Sequence, residues 1–191
     1  MNIIGICGYK RSGKDSIGYF LVKHYGYKRY GLADPIREAV KNIFMWTDEQ
    51  MTGDLKEEID PRWGISPRQA CQHLGTEWGQ YDLPKTYPDF NEITGRRLWI
   101  KRFRFYVEST MDSQYTHRWF LSDVRFPHEV DVIHKMGGKI IKVIRPSIIS
   151  TDKHESESHI DSIVPDSTIT NDGTLEDLEA AVHRVMSWIY A

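Results

Sequence analysis

Near the start of the chain, Gly8-Tyr9-Lys10-Arg11-Ser12-Gly13-Lys14-Asp15-Ser16 sets two glycines and a lysine at the spacing G-x-x-x-x-G-K. Glycines at those points let consecutive backbone N–H groups turn inward on a polyphosphate. A helix beginning behind them adds partial positive charge. Lys14 is then placed to reach the β- and γ-phosphates, as the lysine of a P-loop does. Asp15 stands where a hydroxyl residue usually binds Mg²⁺, and Ser16 follows it. Either oxygen suits a hard cation that keeps most of its waters. Asp15 also fits as an acid in the first turn of a helix, facing the dipole. Lys10 and Arg11 either neutralise the oxygens of a transferred phosphoryl group or lie as solvated charge.

Other residues could complete such chemistry. Asp123 closes the apolar run Trp119-Phe120-Leu121, with Arg125 two positions on. They read as an acid near Mg²⁺ or an acceptor and a cation for the acceptor phosphate, or as a plain ion pair. Arg145 ends a second apolar run, and Asn171-Asp172-Gly173 forms a turn ahead of a helix capped by Thr174. Arg68 and Gln72 share one helix face, where a guanidinium suits a phosphate and an amide suits a base edge; a solvated face is the alternative. Trp99, Phe103 and Tyr106 form one helical stripe, and Arg97, Lys101 and Arg104 another. This is either a stacking platform beside a basic groove or a core face backed by a solvated one. His154 and His159 lie among carboxylates, but their spacing matches no closed zinc site and no cysteine is near. The polar stretch around them reads as a lid that excludes water on closing.

The elements that must position these residues alternate. Asn2 to Cys7 is an apolar strand, and the helix after the P-loop runs over about 13–25, with Ile17, Phe20 and Leu21 at helical spacing. Tyr27 to Ala33 reads as a second strand, and Pro35 opens a helix carrying Ile36, Val40, Ile43 and Phe44 on one face. From Trp46 to Arg62 the pattern is polar and irregular. Ser66-Pro67-Arg68-Gln69 is a capped helix start, and that helix is expected to stop near Gly75. Residues 79–95, with Gly79, Pro84, Pro88 and Gly95, read as loop, followed by a helix from Arg96 to Asp112. Strands at 119–123, 139–145 and 167–170 then alternate with helices at 127–136 and after Thr174. Such alternation implies a parallel sheet with right-handed crossovers and helices on both faces. Ligands bind at the carboxyl ends of such strands, and the P-loop, Asp123, Arg145 and Asn171–Gly173 all fall there.

Composition narrows the class. The 191 residues carry 25 basic and 27 acidic side chains, a formal net charge of −2, which argues against a general nucleic-acid or membrane-surface binder. Cys7 and Cys71 are too few for a disulfide framework. No apolar run approaches the ~20 residues of a membrane-spanning helix, and the expected location is the cytoplasm.

Taken together, the segments resemble the deoxynucleoside monophosphate kinases of tailed bacteriophages. The resemblance rests on residues 8–16, on Leu-Ala-Asp-Pro-Ile-Arg-Glu-Ala (32–39) and on Pro-Arg-Gln-Ala-Cys-Gln-His-Leu-Gly-Thr-Glu-Trp-Gly (67–79). It continues in Leu-Trp-Ile-Lys (98–101), Asp-Val-Arg-Phe (123–126), Val-Ile-Arg-Pro (143–146) and Ile-Thr-Asn-Asp-Gly-Thr-Leu-Glu-Asp-Leu (169–178). The family places an aspartate after the P-loop lysine, as here, whereas Gln80 stands where a basic residue is expected.

The resemblance implies an αβα three-layer P-loop kinase with a central five-stranded parallel sheet. Its core would span about 1–45 and 113–191, with a helical acceptor-binding insertion at 46–112 and a short lid at 147–165. The reaction implied is transfer of the ATP γ-phosphoryl group to a deoxynucleoside monophosphate, with Mg²⁺. Lys14, Lys10, Arg11, Asp123 and Arg125 would be catalytic. ATP would be held by Arg11, Ser12, Gly13, Lys14, Asp15, Ser16, Arg145, Asn171, Asp172 and Gly173. The acceptor would meet Lys10, Ala33, Pro35, Arg37, Arg68, Gln72, Trp99, Lys101, Asp123 and Arg125. Asp15 and Ser16 would serve Mg²⁺, directly or through water. A homodimer is the assembly the family suggests, with no nucleic-acid or membrane partner. The rival readings are a P-loop kinase for another phosphorylated small molecule and a nucleotide-binding module without turnover. A GTP-driven switch lacks its Asn-Lys-x-Asp guanine signature.

Overall fold

A computed structural model of the chain describes residues 2–110, 117–148 and 159–190. It divides into two compact units, one made of residues 1–30 and 105–191, the other of residues 31–104.

The first unit holds five strands: β1 (Asn2–Cys7), β2 (Lys28–Tyr30), β3 (Arg118–Leu121), β4 (Lys139–Ile144) and β5 (Ser167–Thr170). All pair in parallel, in the order β2-β3-β1-β4-β5. β1 is central, with Asn2 to Gly5 opposite Arg118 to Leu121 and Ile4 to Cys7 opposite Lys139 to Lys142. Its Ile3, Ile4, Ile6 and Cys7 are all buried, the uninterrupted apolar signature of a strand covered on both faces. Helix α1 (Lys14–Tyr25) brings Ile17, Phe20 and Leu21 into a core with Ile4, Ile6, Phe120, Ile141, Val143 and Ile169. Leu178, Val182 and Met186 from the last helix, Leu175–Ile189, complete it; Thr174 caps that helix reciprocally with Asp177. Because every strand points the same way, the loops after β1, β3, β4 and β5 leave one edge of the sheet.

The second unit is helical. Helix α2 (Asp34–Phe44) buries Ile36 and Val40 with Trp46 and Ala70. Helix α3 (Pro67–Gln72) starts as expected: the Ser66 hydroxyl accepts from Gln69 N–H at 3.2 Å, and Gln69 Oε1 accepts from Ser66 N–H at 2.9 Å. The expected stop at Gly75 and the loop over 79–95 are overturned. The chain stays helical with π-type turns through His73–Asp82, then forms α4 (Leu83–Thr86) and α5 (Pro88–Ile93). Close packing explains the glycines. A Cβ on Gly75 would stand 2.9 Å from Ile36 Cδ1, and one on Gly79 would stand 2.9 Å from Trp99 Cζ2. Pro84 and Pro88 fall in first turns, where a missing N–H costs little. Helix α6 (Leu98–Thr110) follows a 3₁₀ turn at Gly95–Arg97, so it starts two residues later than the sequence suggests.

The polar stretch 46–62 is organised rather than loose. Asp60, buried, accepts from Trp46 Nε1 at 2.7 Å, Arg62 N–H at 2.9 Å and the Arg62 guanidinium at 2.6 Å. The guanidinium bonds hold its carboxyl far below the usual carboxylate range.

Candidate active site

The P-loop leaves β1 through a backbone that only its glycines make easy. Gly8 has φ 148° and Gly13 φ 108°, and Arg11 itself takes the left-handed region at φ 65°. A non-glycine residue held there costs roughly 1–3 kcal/mol, a strain that the surrounding loop must sustain. Ser12 N–H bonds Tyr9 O at 3.1 Å, closing the turn, and α1 begins at Lys14. Lys14 Nζ donates to Gly8 O at 2.7 Å and Tyr9 O at 2.6 Å, so the ammonium caps the loop's own carbonyls. The Ser12 hydroxyl is buried and, among the described residues, has no hydrogen-bond partner. Lys10, Arg11 and Asp15 are exposed, while Gly13 and Ser16 are half-buried.

Two neighbouring loops are tied to β1 and to this loop. β3 lies beside β1, and Val124 N–H donates to Ile6 O at 3.2 Å. With Val124 and Phe126 buried, the half-buried residues Asp123 and Arg125 alternate with them. Asp123 sits two residues beyond β3 rather than in it. On the other side Asn171, just past β5, donates from Nδ2 to Ser12 O at 2.8 Å, while its N–H reaches Ile144 O at 2.7 Å. A Cβ on Gly13 would lie 2.4 Å from that same Nδ2, so the glycine is what lets Asn171 approach. Arg145 is exposed just past the end of β4, and Asp172 and Gly173 are exposed ahead of the last helix.

Sequence reasoning missed Glu129. Helix α7 (Pro127–Lys135) has no side-chain cap from Phe126; instead Glu129 Oε2 accepts from Arg125 N–H at 2.8 Å and Phe126 N–H at 3.1 Å. Burial pushes this carboxyl up to about 7. Proline at the first helical position with an acid two residues on was the available signal. Tyr9 was also missed: its hydroxyl donates to Asp161 Oδ2 at 2.6 Å, across 152 positions of sequence that carry no signal. The lid reading falls largely on residues 149–158, His154 included, which lie outside the described residues. His159 packs against Phe126 at 5.5 Å between ring centroids. Cys7 and Cys71 are free thiols, and burial pushes Cys7 up to about 11, far from a reactive range.

In the helical unit four of the predicted acceptor residues have local work. Arg68 pairs with the Glu57 carboxylate at 2.7 Å, and Arg37 lies 3.5 Å from Asp34 Oδ1. Trp99 Nε1 donates to Gly75 O at 2.7 Å. Lys101 Nζ donates to Ile93 O and Thr94 Oγ1, both at 3.2 Å. Ala33 and Pro35 frame the start of α2, and Gln72 is half-buried at the end of α3. Gln80 is buried, and among the described residues its Oε1 has no hydrogen-bond partner.

A parallel five-stranded sheet with a P-loop after its central strand defines the class as a P-loop kinase fold. A sugar kinase from Janibacter sp. HTCC2649 shares that fold, with a TM-score of 0.51 at 12% identity over 99% of this chain and 94% of that one. The family model for deoxynucleotide monophosphate kinases matches residues 2–60 and 46–182. A putative deoxynucleotide monophosphate kinase of Acanthamoeba polyphaga mimivirus is 35% identical over 188 residues, 95% of this chain and 94% of the relative. The deoxynucleotide monophosphate kinase of Enterobacteria phage T4 is 23% identical, covering 97% and 99%. The chain belongs to the deoxynucleotide monophosphate kinase family, and it is a kinase. Among the described residues no helix is long and apolar enough to cross a membrane.

Proposed function

We propose that this kinase transfers the γ-phosphoryl group of ATP to the 5′-phosphate of a deoxynucleoside monophosphate, giving ADP and the diphosphate. The observation that carries the donor half is the P-loop itself. Its left-handed turns, the buried Ser12 hydroxyl, unpartnered among the described residues, and Lys14 resting on loop carbonyls are a cradle for phosphate oxygens. On binding, Lys14 exchanges those carbonyls for the β- and γ-phosphates, and Ser12 donates its hydroxyl proton to a phosphate oxygen. Lys10, Arg11 and Arg125 spread positive charge around the group in flight, which is the main task of catalysis in phosphoryl transfer. The acceptor phosphate is already ionised near neutral pH, so alignment counts for more than a general base.

Oxygen donors at Asp15, Ser16 and Asp123 suit Mg²⁺, which would be held mostly by the nucleotide phosphates and would neutralise their charge. Arg145 and Asn171 to Gly173 border the donor nucleotide. In the helical unit Arg68 and Arg37 would take the acceptor phosphate from the acids they now pair with. Ala33, Pro35, Gln72, Trp99 and Lys101 would shape the nucleoside pocket. This reading carries a cytoplasmic enzyme without nucleic-acid partners, assembled as a homodimer, which light scattering measures directly. The deciding experiment is coupled ADP release with Mg-ATP against each common deoxynucleoside and ribonucleoside monophosphate. Stimulation by deoxynucleotides is expected. ATP binding with no acceptor-stimulated turnover would return the protein to the other-acceptor or regulatory readings.

A further inference from the structure

The helix that starts at the P-loop ends, at its far terminus, in a cluster unrelated to phosphate chemistry. His24, in the last turn of α1, lies against Glu179 and His183 of the closing helix, labelled α8 (Leu175–Ile189). Glu179 and His183 are one helical turn apart and share a face. His24 Nε2 stands 2.5 Å from Glu179 Oε1, and the two imidazole centroids are 5.0 Å apart. A ring nitrogen from each histidine and a carboxylate oxygen lie within 4.8 Å of one another. The Tyr25 hydroxyl, 2.6 Å from His183 Nδ1, holds that ring in place, as outer-shell partners hold metal-binding histidines.

Zinc takes ligands at about 2.0–2.2 Å in a tetrahedron, which sets neighbouring donors roughly 3.4 Å apart. The three donors here are a side-chain adjustment of about 1 Å from that arrangement. All three residues are at least partly exposed, so the adjustment is cheap and solvent reaches the cluster. Two imidazoles and one carboxylate favour Zn²⁺ and related transition-metal dications over Mg²⁺ or Ca²⁺, which want oxygens throughout. The competing arrangement is an ion pair alone, with Lys23 Nζ 3.6 Å from the Glu179 carboxylate.

We propose that His24, Glu179 and His183 bind a transition-metal dication, with water completing its coordination, and that the ion staples α1 to α8. The metal joins two elements far apart in sequence, so it stabilises the folded chain by mass action.

The test is titration of EDTA-stripped full-length protein with Co²⁺ in excess Mg²⁺ and no nucleotide, read by visible d–d absorption. The expected result is saturation at one equivalent, displacement by Zn²⁺ and a thermal midpoint that rises with Zn²⁺. His24→Ala and His183→Ala should each weaken binding by more than the roughly 10- to 100-fold that losing an outer-shell partner costs. Glu179→Gln, the mildest change, should weaken it while leaving the metal-free midpoint nearly unchanged, and Cys71→Ser should leave it intact. Absence of a saturable spectrum in the wild-type protein would sink the proposal. So would an unaltered spectrum in the His24→Ala/His183→Ala protein. Neither outcome bears on the kinase reaction.

Discussion

The two units build their candidate sites by different means. In the sheet unit the backbone would make the site: left-handed turns at Gly8, Arg11 and Gly13, a helix start, and neighbouring loops tied to β1 by Val124 and to the P-loop by Asn171. In the helical unit side chains would make it, and several are already engaged. Arg68 holds Glu57, Trp99 holds Gly75, and Lys101 holds the turn at Ile93 and Thr94. On the proposed reading, a backbone-built cradle would be ready for phosphate, whereas side chains already hydrogen-bonded would have to exchange partners on binding. The first should therefore be sensitive to geometry and the second to charge competition.

The largest effect is expected at Lys14. Lys14→Ala keeps the glycines but removes the cation proposed to meet the transferred group, and kcat should fall by roughly 10²–10³. Steady-state ADP release with saturating acceptor measures it. Retention of full kcat would mean that the backbone alone carries the donor site.

Glu129 supplies a second test of the sheet unit, through pH. Its carboxyl lies near 7 in the fold, against about 4.5 in an unfolded chain, because burial disfavours the charge. A raised carboxyl favours the fold while protonated, so its contribution is complete below about pH 4.5 and is lost as pH rises through about 7. Glu129→Gln keeps an acceptor for the Arg125 and Phe126 amides without the charge. Relative to wild type it should gain stability across that window, by up to about 3 kcal/mol. Urea unfolding at pH 5, 6 and 8 gives the comparison, and parallel profiles would rule the burial argument out. Glu129→Ala should instead slow turnover by loosening the loop that carries Asp123 and Arg125.

Competition is the signature to seek in the helical unit. If Arg68 leaves Glu57 for the acceptor phosphate, Arg68→Ala should raise the acceptor KM roughly 10- to 100-fold, the value of a charge-assisted pair. Lysine should restore it only in part, since it lacks the planar fork. Glu57→Gln, which removes the competitor, should lower KM. A rise in KM for both would mean that the pair is a structural tie.

What could be read from the sequence follows the same division. Gly8, Gly13 and Lys14 were legible because their spacing is the geometry. Strands buried on both faces were legible because their apolar runs have no other use. In the helical unit the starts of α2 and α3 and the helix near 98 were legible, but the stretch 75–95 was not, since Gly75 looks like a stop and Gly79 like a loop residue until Ile36 and Trp99 are seen packed on them. Pro84 and Pro88 look like loop residues until they fall in first turns. Asp60 gave no hint that it gathers Trp46 and Arg62, because a lone acid in a polar stretch has no period.

The smallest effect tests how tightly the backbone cradle depends on one side chain. Asn171→Ala leaves Ser12 O without its amide partner, a loss of about 1 kcal/mol, and the ATP KM should rise about fivefold. Gly13→Ala suffers twice, from φ 108° and from the clash with Asn171 Nδ2. Combining the two removes the clash but not the strained φ. The double variant should therefore recover part of the loss of Gly13→Ala, giving non-additive free energies in a double-mutant cycle. Strict additivity would show that the loop relaxes away from Asn171. In that case the glycine is required for its backbone angle alone.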